Sequence, residues 1–372
     1  MPRARPLSER LPMELGYRLP AEWEPHRATW IAWPGKRSDW PGCFSQIAPV
    51  FVEIVRLLHH QERVRILVKN AAERERVRRQ LVSADVDLES IDLLLVETDR
   101  SWTRDYLPLF VTKGAKKAPR RPTSLGSVNF GFDGWARYRD YKRDDAAGRA
   151  VSAALECLAW TPTGPDARGL VVEGGAIDVD GEGTLLATES CFLKEPRGRF
   201  QRLGREYAEQ CFRDYLGITC TIWLGDGVAG DDTSGHVDDF VRFVEPGTLV
   251  LSCEENRRDP NYRPLAAARD RLLGTKDAAG RALRVIDLPM PAPVVRQDQR
   301  LPASYANFYI ANGLVLVPTF NDPADRIALG ILAELFPDRE VVGVYCRDLV
   351  LGLGAIHCST MQEPWSRPRT SL

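Results

Sequence analysis

Residues 177–190, IDVDGEGTLLATES, read as strand, tight turn and strand, with apolar residues alternating on either side of Gly183. The pattern returns in 241–253, VRFVEPGTLVLSC, around Gly247, and in 307–320, NFYIANGLVLVPTF, around Gly313. These glycines stand 64 and 66 residues apart, and a weaker copy in 107–117, LPLFVTKGAKK, places Gly114 69 residues before the first. Helical patterns alternate with the hairpins. In 322–337, DPADRIALGILAELFP, Asp322 can cap the first turn, Pro323 fits the first helical position, and Ile327, Ile331 and Leu335 fall on one face. The stretches 44–60, 144–160, 199–217 and 259–274 complete a set of five helices, the last opening on Asp259 and Pro260. Apolar strands follow: RVRILV (63–68), LVVEGG (170–175), TCTIWL (219–224), LRVIDL (283–288) and EVVGVYC (340–346).

A period of roughly 65 to 80 residues holding hairpin, helix and strand marks a repeat architecture. One such unit buries only one side of its sheet, so five should pack side by side. The expected fold is α/β, a single propeller-like domain of five ββαβ repeats, whose order and closure do not follow from sequence alone. Residues 21–372 form its single catalytic domain, and residues 1–20, rich in arginine and proline, a loose N-terminal arm.

The bulk composition excludes several classes. With 44% apolar and 27% charged residues the chain reads as an ordinary globular protein, and a net charge of −1 offers no basic field for nucleic acid or an anionic membrane. No apolar run reaches the length of a signal peptide or of a membrane span, about 18 residues. The eight cysteines, at 43, 157, 191, 211, 220, 253, 346 and 358, form no CxxC pair. That argues against a disulfide framework or a zinc knuckle, and for reduced packing residues in the cytoplasm.

Residues able to do chemistry gather in the links ahead of the hairpins. These are DRSWTRDYLP (99–108) with Asp99, Trp102 and Asp105; VVEGGA (171–176) with Glu173; DDTSGHVDDF (231–240) with His236, Asp238 and Asp239; and GLGAIHC (352–358) with Cys358. Units set around an axis would bring these links to one end of it. Singly, each has a plainer reading. Asp105 suits a turn or cap, and Glu173 a strand end. His236 and Asp238, at i and i+2 on a strand, would face the same way. His357 would then point away from Cys358. Together they read differently, because carboxylates around one cavity suit a flat guanidinium. Acids crowding a thiol suppress its ionisation, and a cationic substrate reverses that field. The chemistry indicated is thiolate attack on a guanidine or amidine carbon.

The segments EWEPHRATWIAWP (22–34), WTRD (102–105), EGGAIDVDGEGTLLATES (173–190), GHVDDFVRFVEPGTLVLS (235–252), ASYANFYIANGLVLVP (303–318) and GAIHC (354–358) occur in the order found in the agmatine deiminase and bacterial-type peptidyl-arginine deiminase family. The resemblance runs from Glu22 to Pro364. It implies a five-bladed α/β propeller, no metal or organic cofactor, a small cationic guanidino substrate and a homodimer. Residue by residue it implies Cys358 as nucleophile, Asp105 and Asp238 as the guanidinium-holding pair, Glu173 in support and His236 as general acid then base. Trp102 would wall the substrate, with Asp99, Asp232 and Gly354 among the substrate contacts.

Departures surround this set. Leu353 and Ala355 stand where the family has GGGNIHC, Ser234 and Asp239 where it has TDGHVDN, KEPRG (194–198) replaces an NRNP-like run, and DRSW replaces DDAW. A guanidino group is therefore better indicated than agmatine as its bearer. The implied activity is hydrolytic deimination through a thiouronium. Peptidyl-arginine deimination, amidino transfer and a catalytically silent binding propeller are the alternatives.

Overall fold

The structure, a computed structural model, describes residues 9–114, 122–296 and 298–367. All three hairpins form as the alternation requires: Ile177–Val179 with Thr184–Thr188, Val241–Glu245 with Thr248–Cys253, and Tyr309–Ala311 with Leu314–Thr319, each antiparallel. Gly183, Gly247 and Gly313 take φ of 110°, 79° and 66°, values that side chains disfavour. A parallel strand joins each hairpin after its helix: Cys220–Leu224, Arg284–Pro289 and Glu340–Tyr345. The weaker copy also forms, Leu109–Gly114 against Pro122–Val128 with Leu158–Trp160 parallel to the latter. Its turn lies outside the described residues.

A fifth unit is assembled from both ends of the chain. His26–Ala32 pairs antiparallel with Met361–Pro364 and parallel with Arg63–Val68, which carries Ile91–Leu95 at its other edge. The described residues thus hold five three- or four-stranded α/β sheets and one two-stranded ribbon, Val295–Arg296 with Gln299–Arg300. Pairing the final strand with residues 26–32 is what anchors the GLGAIHC link. None of the helices among the described residues is long and apolar enough to cross a membrane.

Several expectations need correction. Residues 170–175 make only an isolated bridge, Val171 with Gly131, before the chain turns at Gly174–Ala176. Residues 1–8 of the expected arm lie outside the described residues. The rest of it is not loose, because Tyr17–Arg18 pairs with Leu109–Gly114 and Leu15, Tyr17 and Leu19 are buried. A helix at Ala71–Val82 has no apolar stripe to announce it. Asn70 caps it, and only Glu73, Val77 and Leu81 are buried.

Helix Pro323–Leu335 begins where expected, with Asp322 accepting the Ala324 N–H, but its inner face is one residue round. Ala328 and Leu332 are buried while Ile327 is 58% exposed. Leu332→Ala should therefore destabilise by about 2–5 kcal/mol and Ile327→Ala by about 0.5 or less. Urea unfolding of the two variants measures this directly.

Candidate active site

The expected links do converge, and backbone hydrogen bonds staple them. WTRD contributes a one-turn helix, Thr103–Tyr106. Its Arg104 N–H donates to the Cys358 carbonyl at 3.1 Å, and the Thr103 hydroxyl donates to the Ser359 carbonyl at 2.9 Å. Two segments some 250 residues apart are thereby locked together. The Asp105 carboxylate is aimed by two donors, the Gly175 N–H at 3.0 Å and Trp135 Nε1 at 2.9 Å.

His236 and Asp238 come together by a turn rather than along the expected strand. The Asp231 carboxylate accepts the N–H groups of Thr233, Gly235 and His236, winding the loop, and Val237–Asp239 is a single 3₁₀ turn. Gly175 marks the meeting point. A Cβ there would lie 2.7 Å from His236 Nδ1, 2.9 Å from Asp105 Oδ1 and 3.0 Å from Asp238 Oδ2. Any side chain would displace all three groups.

The Cys358 thiol donates to Asp238 Oδ2 at 3.4 Å and accepts from Asn307 Nδ2 at 3.1 Å. Asn307 also donates to Asp239 Oδ1 at 3.2 Å. Asp238 Oδ1 is buried and has no hydrogen-bond partner among the described residues. An N–H cation reaching that oxygen would satisfy it.

A cavity of about 440 Å³ opens here, and Cys358, His236, Asp105, Trp102, Asp232, Asp239 and Gly354 all line it. Trp102 packs against Trp40, ring centroids 5.5 Å apart. A Cβ at Gly354 would meet Trp102 at 2.8 Å and the Cys358 Cβ at 3.0 Å, so the loop before Cys358 needs glycine there. Asp238 stands behind the wall, reaching the site through Cys358. Glu173 also stands behind it, fully buried in an ion pair with Arg199 at 2.7 Å. The same guanidinium disfavours a metal ion in the donor cluster of Glu173, Cys191 and His236.

Asp99, expected at the substrate, is elsewhere. It accepts the Arg143 N–H at the start of helix Lys142–Ala154 and pairs with that arginine's side chain, a capping role. Asn307, Trp135 and Arg199 are members of the site that the sequence reading missed. Asn307 was within reach of it, since it occupies the link ahead of the 309–319 hairpin.

The electrostatics favour a cation. Burial pushes the Asp105 carboxyl up to about 6, against the pull of His236 and with help from Asp238 and Glu173. Burial alone would depress the His236 imidazolium, but Asp105, Cys191 and Glu173 hold it well above its ordinary value. Asp238, also opposed by burial, is lowered by His357, His236 and Arg242. Burial drives the Cys358 thiol well above its usual range, and Asp238, Asp239 and Asp105 add to the rise. In the ligand-free protein, alkylation of Cys358 by a neutral reagent should therefore climb about tenfold per pH unit up to about pH 9 without levelling. Mass mapping of the labelled cysteine measures it, and a plateau near neutrality would contradict the suppressed thiol.

Residues 18–364 match the family model described as Porphyromonas-type peptidyl-arginine deiminase. The agmatine deiminase of Ectopseudomonas mendocina (strain ymp) is 36% identical over 367 residues, covering 94% of this chain and 96% of the relative. That of Pseudomonas aeruginosa (strain LESB58) is 35% identical over 377 residues, covering 95% and 96%. The solved agmatine deiminase of Enterococcus faecalis superposes with a TM-score of 0.86 at 30% identity, covering 97% of this chain and all of its own. With a matching sequence model, extensive identity and a shared fold, this chain belongs to the Porphyromonas-type peptidyl-arginine deiminase family.

Proposed function

We propose that the protein is a cysteine-dependent deiminase that converts the guanidino group of agmatine or a related small compound to a ureido group with release of ammonia. The observation that carries this is the convergence of Cys358, His236 and Asp105 on one cavity, with Asp238 behind them and its Oδ2 3.4 Å from the thiol. The five sheets are taken to stand around one axis as a five-bladed propeller, with residues 21–372 as one catalytic domain. That arrangement accounts for all the links meeting at one end.

The guanidinium is held by Asp105 and Asp238, and its charge lowers the Cys358 pKa so that the thiol gives up its proton to solvent. The thiolate attacks the guanidinium carbon to form a C–S bond. His236, as imidazolium, protonates the departing nitrogen, and ammonia leaves a thiouronium on Cys358. The imidazole then takes a proton from water, whose oxygen attacks the same carbon. The C–S bond breaks, freeing thiolate and the ureido product. Trp102 supplies a ring face for the cation. Glu173, occupied by Arg199, acts on the site through its charge on His236.

A second reading concerns the substrate's tail. The outer wall carries Lys36, Arg100 and Arg296 beside Asp39, Asp140 and Asp232. Lys36 and Arg100 already pair with Asp140, and Arg100 also with Asp39, so the wall accommodates an ammonium or a carboxylate tail alike. Ammonia release from agmatine, arginine, arginine peptides and shorter guanidino acids separates these substrates. An amidine product without ammonia would indicate amidino transfer instead.

Cys358→Ala should abolish ammonia release while guanidinium binding, followed calorimetrically, survives. Asp105 must be ionised to pair with the substrate, so kcat/KM should fall as pH drops through about 6. Asp105→Asn should lower kcat/KM about 10- to 150-fold, the range for a lost hydrogen bond to a charge, and erase that acid limb. Full activity in Cys358→Ala would refute the covalent scheme.

A further inference from the structure

The histidine before the nucleophile faces the other way, into the protein. His357 is buried, with Nδ1 2.7 Å from Asp238 Oδ2 and Nε2 2.8 Å from Glu22 Oε2. Glu22 is itself clamped by Arg104 Nη2 at 3.1 Å, Arg242 Nη2 at 3.0 Å and the Ile310 N–H at 2.8 Å. Asp178 joins the layer through Arg242 Nε at 3.1 Å. A neutral imidazole has one N–H, so one of its lone pairs would face a carboxylate oxygen at close range. An imidazolium donates on both sides. It also balances the layer, setting Arg104, Arg242 and His357 against Glu22, Asp178 and Asp238. A buried excess charge would otherwise remain.

We infer that His357 is a positioning residue. Bridging Glu22 and Asp238, it keeps Asp238 ionised and fixes its carboxylate beside the Cys358 thiol, where a guanidinium nitrogen would meet it. The direction of the Asp238 shift agrees: burial opposes ionisation, and the bond and charge of His357 are the strongest influences overcoming it. His357 and Cys358 thus meet at the same carboxylate oxygen from opposite sides. This inference rests on the deiminase reading above.

The test compares alkylation of Cys358 by chloroacetamidine, which carries the amidinium charge, and by neutral chloroacetamide. In each case the sulfur bonds to the methylene carbon and chloride leaves. The wild type should prefer the cation, and absence of that preference would count against the deiminase reading itself. Given the preference, His357→Gln should reduce it about tenfold or more, the range for a charge-assisted bond, while reaction with the neutral reagent changes far less. His357→Asn serves as a second variant should the longer amide not fold. A variant that keeps the wild-type ratio, or loses both rates equally, overturns the positioning role, because a merely structural histidine would not discriminate between the reagents.

Discussion

One carboxylate, with its two oxygens treated differently, organises this site. Asp238 Oδ2 holds the Cys358 thiol on one side and faces the His357 ring on the other, while Oδ1 is buried without a partner among the described residues. An unsatisfied buried acceptor costs about 1–3 kcal/mol, so the folded protein retains a standing demand for a donor at that point. The chain goes to some length to create it. A 3₁₀ turn supplies Asp238, the pairing of the chain's two ends supplies Cys358, and the N-terminal segment supplies Glu22.

The same arrangement explains how a cysteine among acids can be a nucleophile. Burial and three neighbouring carboxyls keep the thiol protonated while the site is empty. A cation about 4 Å from the sulfur contributes about 4 kcal/mol at an effective dielectric near 20, equivalent to about three pKa units. That shift acts against the rise caused by burial and the acids, and only when the right charge is bound. The acids divide the work accordingly. In the proposed complex Asp105 pairs with the guanidinium and Asp238 lies beside the thiol, while the Glu173 oxygens are occupied by Arg199. Despite burial, Asp105, Cys191 and Glu173 hold His236 well above its ordinary value.

What could be read from the chain in advance follows from range of interaction. The hairpins were legible because alternation and a glycine turn are local, and so were the links ahead of them, which hold Asp105, His236 and Cys358. His236 and Asp238 were paired for the wrong local reason, since Asp231 winds them into a turn. Asp99 was misplaced because a capping aspartate and a binding aspartate look alike until the helix they serve is seen. The pairing of Met361–Pro364 with His26–Ala32 joins the ends of the chain, and no local pattern encodes it. Trp135, Arg199 and Glu22 matter only through partners distant in sequence. The Ile327 face erred by one residue, within the drift of an amphipathic pattern over three turns.

The central claim is that Cys358 takes the amidine carbon covalently, and rapid acid quenching during turnover followed by peptide mass analysis tests it most directly. The account predicts a transient adduct on the peptide containing Cys358, with a mass equal to the substrate less ammonia, absent from every other cysteine peptide. Steady ammonia release with no adduct at any quench time, or an adduct on a different cysteine, would contradict it.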